Sequence, residues 1–357
     1  MKTEVIAINE DFESSQQQMA DIKRAGEIIR QGGLVAFPTE TVYGLGGDAL
    51  NPESAGRIYA AKGRPSDNPL IVHIARFEDI NRIVTQMPES AGKLAQAFWP
   101  GPLTMVLPKS ELVPLQVTGG LDTVAVRFPS HKTARALIEA AGGYVAAPSA
   151  NLSGRPSPTL ARYVKEDLDG RIEMIIDGGD IPIGLESTIV DCTVEPPMIL
   201  RPGFVTKEML GEVLGQITQD QTMMHGDTKE RPKAPGMKYR HYAPRGEMTI
   251  FAGEKQKVVD TICERARKSL SHGIKTGIIA TDETLQQYQA QLPQAVIKSA
   301  GASTDEQTIA HRLYQILREF DEEEVGMICS ESFETDGIGQ AIMNRLLKAA
   351  GHHVETV

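Results

Sequence analysis

The 357-residue chain has little of what an exported or membrane-bound protein needs. Its three cysteines, Cys192, Cys263 and Cys329, stand too far apart for a zinc site or a disulfide framework. No run of about 18 apolar residues occurs, which predicts no membrane span. The opening "MKTEVIAINEDFESS" sets acidic residues where a signal peptide needs an apolar core. A cytosolic protein with reduced thiols is expected. Excess positive charge is missing too: 37 Lys and Arg face 47 Asp and Glu, a formal net charge of −10. That balance speaks against broad, sequence-blind nucleic-acid binding, and it leaves room for a small basic site. There is no Walker loop, no GxGxxG, no internal repeat and no coiled-coil heptad.

What is present alternates between short apolar runs and amphipathic stretches. At this length two domains are expected. Residues 1–213 read as a mixed α/β domain with a twisted sheet. "LVAFPTETVYGLG" is expected to be a strand running into a glycine-rich loop, and "NPLIVHIA", "PLTMVLP", "DTVAVRFPSH", "YVAAPSAN", "RIEMIIDGG" and "STIVDCT" to be strands. Helices are expected over 18–31, "SAGRIYAAKGRP", "ESAGKLAQAFWPG" and "KTARALIEAAGG". Residues 214–245 read as a linker. Over 246–357, "EMTIFAG", "KTGIIAT", "AVIKSAG" and "VGMICSES" are separated or followed by helical segments. Strict alternation predicts a smaller Rossmann-like domain with a parallel sheet. His352 and His353 read as a solvated tail.

Unusual polar residues gather where strands give way to loops. "PTETVYGLG" offers Thr39, Glu40, Thr41 and Tyr43, then three glycines. It is either a tight turn that needs glycine torsions or a loop whose amides approach a ligand. "AKGRPSDNPLIVH" sets Lys62 and Arg64 beside a rigid proline, followed by Asn68 and His73. The cations are either solvated or held towards an anion, and His73 is either a buried, satisfied histidine or a ligand. Arg127 follows an apolar alternation, where an unpartnered guanidinium would be costly, so it lies on the polar face or at a ligand. "AAPSANLSGRPSPT" is dense in Ser149, Asn151, Ser153, Arg155 and Ser157. "GLESTIVD" and "ILRPG" add Ser187, Thr188 and Arg201. Four cations and several hydroxyls at such junctions, in an acidic protein, fit a polyanionic small molecule such as a nucleotide. The linker ends in "APGMKYRHYAP", over-supplied with gripping groups for a connector. It reads as a tethered lid, or more plainly as a linker packed between domains.

These blocks, in this order, resemble the YrdC/Sua family of threonylcarbamoyl-AMP synthases. "PTETVYGLG", "KGRP…NPLIVH", "WPGPLT", "DTVAVRFP", "APSANLSGRPSPT", "GLESTIVD" and "LRPG" cover almost all of residues 15–205. "APGMKYRHYAP" and the last domain resemble the longer, two-domain Sua branch. The resemblance implies that L-threonine, bicarbonate and ATP become L-threonylcarbamoyladenylate, pyrophosphate and water, with Mg²⁺ assisting. A separate transferase complex would then modify the adenosine next to the anticodon in tRNAs reading codons that begin with A. By the same resemblance the threonine pocket falls on Thr41, His73, Arg127, Ala147 and Ser187. The nucleotide contacts fall on Arg64, Asn68, Thr123, Ser149, Ser157, Arg201 and Tyr239, with Tyr242 as the alternative tyrosine. Lys62 and Arg64 are the expected catalytic cations, and no protein metal ligand is assigned. His73 is expected to bind rather than act as a general base.

Two other classes compete. One is a double-stranded-RNA-binding, translation-associated module, against which the acidic balance speaks. The other is a hydrolase or carbamoyl-transfer enzyme on the same core. In the last domain, "DGIGQAIMNRLLKAAG" lacks the spacing of a dinucleotide fingerprint, which favours a regulatory or lid-supporting role.

Overall fold

The computed structural model describes residues 2–220, 232, 234–235 and 241–357. The chain divides into two compact units. One is Met1–Ser153 with Ser157–Lys238; the other is Gly154–Pro156 with Tyr239–Val357.

The described residues of the first unit carry β1 (Glu4–Ala7), β2 (Val35–Phe37), β3 (Gly44–Asp48), β4 (Ile71–Ile74), β5 (Leu103–Pro108) and β6 (Thr123–Arg127). They continue with β7 (Tyr144–Ala146), β8 (Met174–Asp177), β9 (Thr188–Asp191), β10 (Met198–Arg201) and β11 (Thr218–Gln219). These strands form one mixed sheet in the order β1-β8-β2-β3-β7-β4-β6-β5-β9-β10-β11. Helices cover both faces, because the strands are apolar on both sides. Gln16–Arg30 and Lys132–Ala140 bury Ile22, Ile29, Leu137 and Ile138 against Val35, Phe37 and Val145. Pro52–Lys62, Glu89–Phe98 and Ala161–Leu168 pack on the opposite face, around Leu45, Val72 and Met105. The helix Pro52–Lys62 starts where Asn51 accepts from the Glu53 N–H and Pro52 occupies the first turn. It stops at Gly63, whose φ of +60° a side chain would resist.

The glycine-rich stretch is not a loop. Gly44–Asp48 is a strand, paired antiparallel with both β2 and β7. Its glycines answer a packing need rather than a torsional one. A Cβ on Gly46 would stand 2.8 Å from a Val145 methyl and 2.9 Å from the Phe37 ring, so only a residue without a side chain lets the core close there.

The second unit is a wholly parallel sheet of β12 (Glu247–Ala252), β13 (Thr276–Ala280), β14 (Val296–Ser299), β15 (Met327–Glu331) and β16 (Val354–Thr356), in the order β14-β13-β15-β12-β16. The helices Lys255–Ser271, Asp282–Gln291, Glu306–Glu322 and Gly339–Ala349 alternate with the strands, as the strand–helix rhythm predicts. The chain end is not a free tail: His353 is exposed, yet its carbonyl accepts from the Ile250 N–H and the next residues form β16. Gly154–Pro156 group with this unit, where the fully buried Arg318 donates through Nε to the Pro156 carbonyl (3.0 Å) and Arg155 pairs with Asp321 (3.1 Å). No helix among the described residues is long and apolar enough to cross a membrane.

Candidate functional site

Strand register assembles the site. Val145 on β7, His73 on β4, Arg127 on β6, Thr104 on β5, Ile189 on β9 and Arg201 on β10 are successive cross-strand partners. They form one row across six strands, and cross-strand partners share a face. A register shift between Ile199 and Arg201 brings Arg201 into the row. Polar side chains thus meet in the middle of a sheet, where the apolar pattern alone would set hydrocarbon. Ile189 of the row, with Ile71, Ala125, Val106 and Leu200 beside it, makes a small apolar floor on which Ala234 sits fully buried.

Arg127 is the centre of this row. Its Nη1 donates to Thr41 Oγ1 at 2.8 Å, and its Nη2 stands 2.8 Å from the Glu40 carboxylate. Its Nε is buried with no hydrogen-bond partner, and Nη2 has the Glu40 ion pair but no hydrogen bond. An orphaned guanidinium N–H in so dry a place calls for an acceptor. His73, one strand away, is held through Nδ1 to the Ile71 carbonyl at 3.1 Å. Burial, with Arg127 adding to it, pushes its pKa from the ordinary 6.5 down to about 3. The imidazole is therefore neutral and no proton acceptor of useful strength, which suits binding rather than general-base work.

That shift has a consequence for stability. Between about pH 3 and 6.5 the unfolded chain protonates His73 and the folded chain does not, so stability from this group rises with pH across that window and is complete above it. The slope approaches about 1.4 kcal/mol per pH unit. His73→Gln is expected to flatten the slope in urea unfolding across this range, a direct check on the buried neutral ring.

On the other side of Arg127, Thr104 and Ser187 share a hydroxyl hydrogen bond of 2.8 Å. Arg201 donates to the Ser187 carbonyl through Nε (3.1 Å) and Nη2 (3.0 Å), to Ser187 Oγ (3.2 Å), and through Nη1 to the Pro235 carbonyl (3.4 Å). The expected nucleotide arginine thus touches the expected threonine serine and Pro235 at once. Ala147 lies on the His73 side of Arg127, its N–H donating to the Ile71 carbonyl that also holds the His73 ring. Thr41, His73, Arg127, Ala147 and Ser187 therefore fall into one connected cluster.

The remaining expected nucleotide residues are spread over neighbouring turns. Arg64 donates through Nη2 to the carbonyls of Asn68 (3.2 Å) and Pro69 (2.8 Å). Thr123 begins β6, roughly 13 Å of strand before Arg127. Since Ile71 partners Ala125, Thr123 lies at the level of the Arg64–Pro69 turn. Gly119, at φ +60°, brings the preceding loop against the Asp67 carbonyl. Lys62 is buried, its Nζ bonded to the carbonyls of Ser149 and Asn151. It braces the Ser149–Asn151 turn, and Ser149 Oγ in turn donates to Asn151 Oδ1 (2.6 Å). Ser157 Oγ donates to Glu186 (2.6 Å), next to Ser187. Tyr239, with Gly236, Lys238 and Arg240, lies outside the described residues. Tyr242, the alternative tyrosine, is buried in the second unit, stacked on Tyr314 with centroids 5.2 Å apart.

Two residues of the row's chemistry were not assigned from the sequence. Thr104 is a lone hydroxyl in the apolar run "PLTMVLP", and Glu40 is a carboxylate between two threonines. A polar residue that interrupts a buried strand or its turn is the available signal.

The second unit has a cleft of about 670 Å³ at the carboxyl ends of β12, β13 and β15, lined by Lys255, Thr281, Glu306, Glu331 and Glu334 among others. Several amide donors around it are already taken. Glu254 caps the helix Lys255–Ser271, Glu331 accepts from the Thr281 N–H and Glu306 from the Ile338 N–H. So acidic an edge is the reverse of a phosphate cradle.

The first unit is an α/β scaffold that buries cations and hydroxyls in the middle of its sheet, a small-molecule-handling enzyme in class. A family model described as telomere recombination matches residues 27–203, and one described as the C-terminal domain of threonylcarbamoyl-AMP synthase matches residues 205–351. The threonylcarbamoyl-AMP synthase of Pyrococcus abyssi is 49% identical, covering 93% of this chain and 95% of its own. That of Bacillus subtilis is 45% identical over 99% of both chains. The crystal structure of P. abyssi Sua5 complexed with L-threonine superposes with a TM-score of 0.92 at 46% identity, covering 99% of this chain and 100% of that one. The chain belongs to the threonylcarbamoyl-AMP synthase family, in its two-domain form, and the resemblance carried by the motif blocks is borne out.

Proposed function

We propose that the first unit joins L-threonine, bicarbonate and ATP into L-threonylcarbamoyladenylate, releasing pyrophosphate and water. This is an AMP-forming, nucleotidyltransferase-type enzyme. The observation that carries the substrate assignment is the orphaned Nε of buried Arg127, set between a neutral His73 and the Thr104–Ser187 hydroxyl pair. A carboxylate satisfies that donor through a planar fork that lysine cannot copy. Ser187 Oγ meets the threonine hydroxyl, so analogues without it leave a buried polar group unpaired.

The chemistry needs no covalent enzyme intermediate. The neutral threonine amine adds to the bicarbonate carbon; water leaves and a carbamate remains. A carbamate oxygen attacks the α-phosphorus, and its bond to the pyrophosphate oxygen breaks. The protein's part is to bring anionic reactants together and offset their repulsion, with Arg64 and Arg201 facing the nucleotide. Mg²⁺ would come with ATP as Mg·ATP and would supply charge neutralisation at the phosphates, and no residue of this chain is assigned to hold it. Water must be kept from the carbamate. A cytoplasmic setting goes with these substrates. So does hand-over of the adenylate to a threonylcarbamoyl transferase complex that acts on tRNA, with at most weak RNA contact by this acidic chain.

The test is pyrophosphate release by the full chain with Mg·ATP, bicarbonate and L-threonine. Release is expected to depend on threonine and to fall when serine replaces it. Release indifferent to threonine, or salt-resistant RNA binding without turnover, would sink the reading.

A further inference from the structure

Glu40 stands in the turn that follows β2, and its carboxylate is one of the most enclosed in the first unit. Its side chain is 8% exposed and that of its partner Arg127 is 5% exposed. Burial pushes the Glu40 carboxyl up, but Arg127 at 2.8 Å outweighs it, and the carboxyl lies below its ordinary value. The pair is therefore ionised. The two imidazoles within electrostatic reach, His73 and His131, are both shifted down by burial and stay neutral around physiological pH. Among the described residues, Glu40 is thus the anionic partner of the Arg127 guanidinium.

The turn that carries Glu40 is locked in place. Thr39 Oγ1 donates to the Val42 carbonyl (2.7 Å) and accepts from the Thr41 and Val42 N–H groups (3.2 and 3.3 Å). The Glu40 and Thr41 carbonyls accept from the N–H groups of Ile183 and Gly184, both at 3.1 Å. Thr41 then accepts a hydrogen bond from Nη1, and Glu40 holds Nη2 as an ion pair at 2.8 Å without a hydrogen bond of good geometry. The third, Nε, keeps no partner. A buried ion pair adds little stability over a well-packed apolar pair. What it does supply is orientation, by fixing a long, flexible side chain at both ends of its fork.

We propose that Glu40 is the positioning residue of the substrate-carboxylate clamp: with Thr41 it fixes the Arg127 guanidinium so that the Nε edge is presented to the carboxylate of the amino-acid substrate. The inference rests on Arg127 as the threonine-binding arginine. Glu40 does not touch threonine in this scheme and does not take the amine's proton, since a carboxylate held below its ordinary range is a weak base. Its contribution is confined to the carboxylate end of the substrate.

The experiment is steady-state pyrophosphate release and calorimetric binding by the full chain carrying Glu40→Gln. The glutamine keeps shape and one acceptor but not the charge. The KM for L-threonine is expected to rise about 10- to 100-fold, the scale of a misplaced clamp, with the KM for ATP little changed. L-threoninol, which keeps the amine and hydroxyl but lacks the carboxylate, is expected to bind wild type and variant alike. Glu40→Asp, which keeps the charge at shorter reach, is expected to fall between the two. Should Glu40→Gln fail to fold, the double change Glu40→Gln with Arg127→Met removes both charges. It is expected to fold and to have lost its preference for threonine over threoninol. An unchanged KM for threonine in Glu40→Gln overturns the proposal, as does equal weakening of threonine and threoninol. A wild-type chain without threonine-dependent turnover, or an Arg127→Lys chain with full threonine affinity, overturns the underlying reading instead.

Discussion

Arg127→Ala is expected to weaken threonine binding by a factor of about 30 to 5,000, the 2–5 kcal/mol that truncating one partner of a buried charged contact costs. Calorimetry with L-threonine measures it, and binding of an ATP analogue serves as the control that the unit is folded. The same change strands Glu40. Its carboxyl, held low by Arg127 in the wild type, keeps only the burial that pushes it up. A buried carboxylate without its partner costs about 3–5 kcal/mol, and protonation relieves that cost. In the wild type the pair's contribution is present above the ordinary carboxylate range and is lost as pH falls through the lowered value. In the variant the folded state prefers a protonated Glu40, so its stability falls as pH rises. Urea unfolding of both proteins is therefore expected to show a gap that is widest at neutral pH and narrows towards acid. A gap independent of pH would mean that Glu40 is not the group left behind.

Arg201→Ala is expected to damage both substrates at once. An arginine that served ATP alone would leave threonine affinity untouched on removal. Here the guanidinium makes three hydrogen bonds to Ser187, two at the carbonyl and one at Oγ, and a fourth to the Pro235 carbonyl. Hydrogen bonds from a charged donor contribute about 1.5–3 kcal/mol each. Freeing the Ser187 backbone and hydroxyl together is expected to raise the KM for threonine at least about tenfold, which is 1.4 kcal/mol, alongside a comparable rise for ATP. Arg201→Lys keeps the charge without the fork and is expected to recover ATP more than threonine. A variant impaired for ATP alone would detach Arg201 from the threonine pocket.

Much of the scaffold is legible in the chain. The helix over 18–31 and the alternation after residue 246 follow from apolar spacing with capping residues and glycines at their ends, and both appear close to the expected bounds. The edge strand β1 was not read, because half-exposed Glu4–Ala7 acquires its partner only from β8, far along the chain. The tail after His353 hides β16 for the same reason. The glycines of "YGLGG" suggested a turn, while the real demand, room beside Phe37 and Val145, lies on other strands. At the site, the polar blocks were visible one by one. What was not visible is that Thr104 stands beside Arg127, or that Glu40 takes its Nη2, because strand order sets the first and the fold of the turn the second.

The row that carries the site runs through six strands whose residues are scattered from His73 to Arg201. The six strands are neighbours along one side of the sheet, yet their residues come from widely separated parts of the chain. In chain order β10 supplies the last member of the row, so the row is incomplete in any chain that stops short of Arg201. A ligand that occupies the row secures every strand that contributes to it, and its binding free energy is added to the stability of the whole sheet rather than to one loop. Substrate supply is thereby coupled to the lifetime of the folded protein itself.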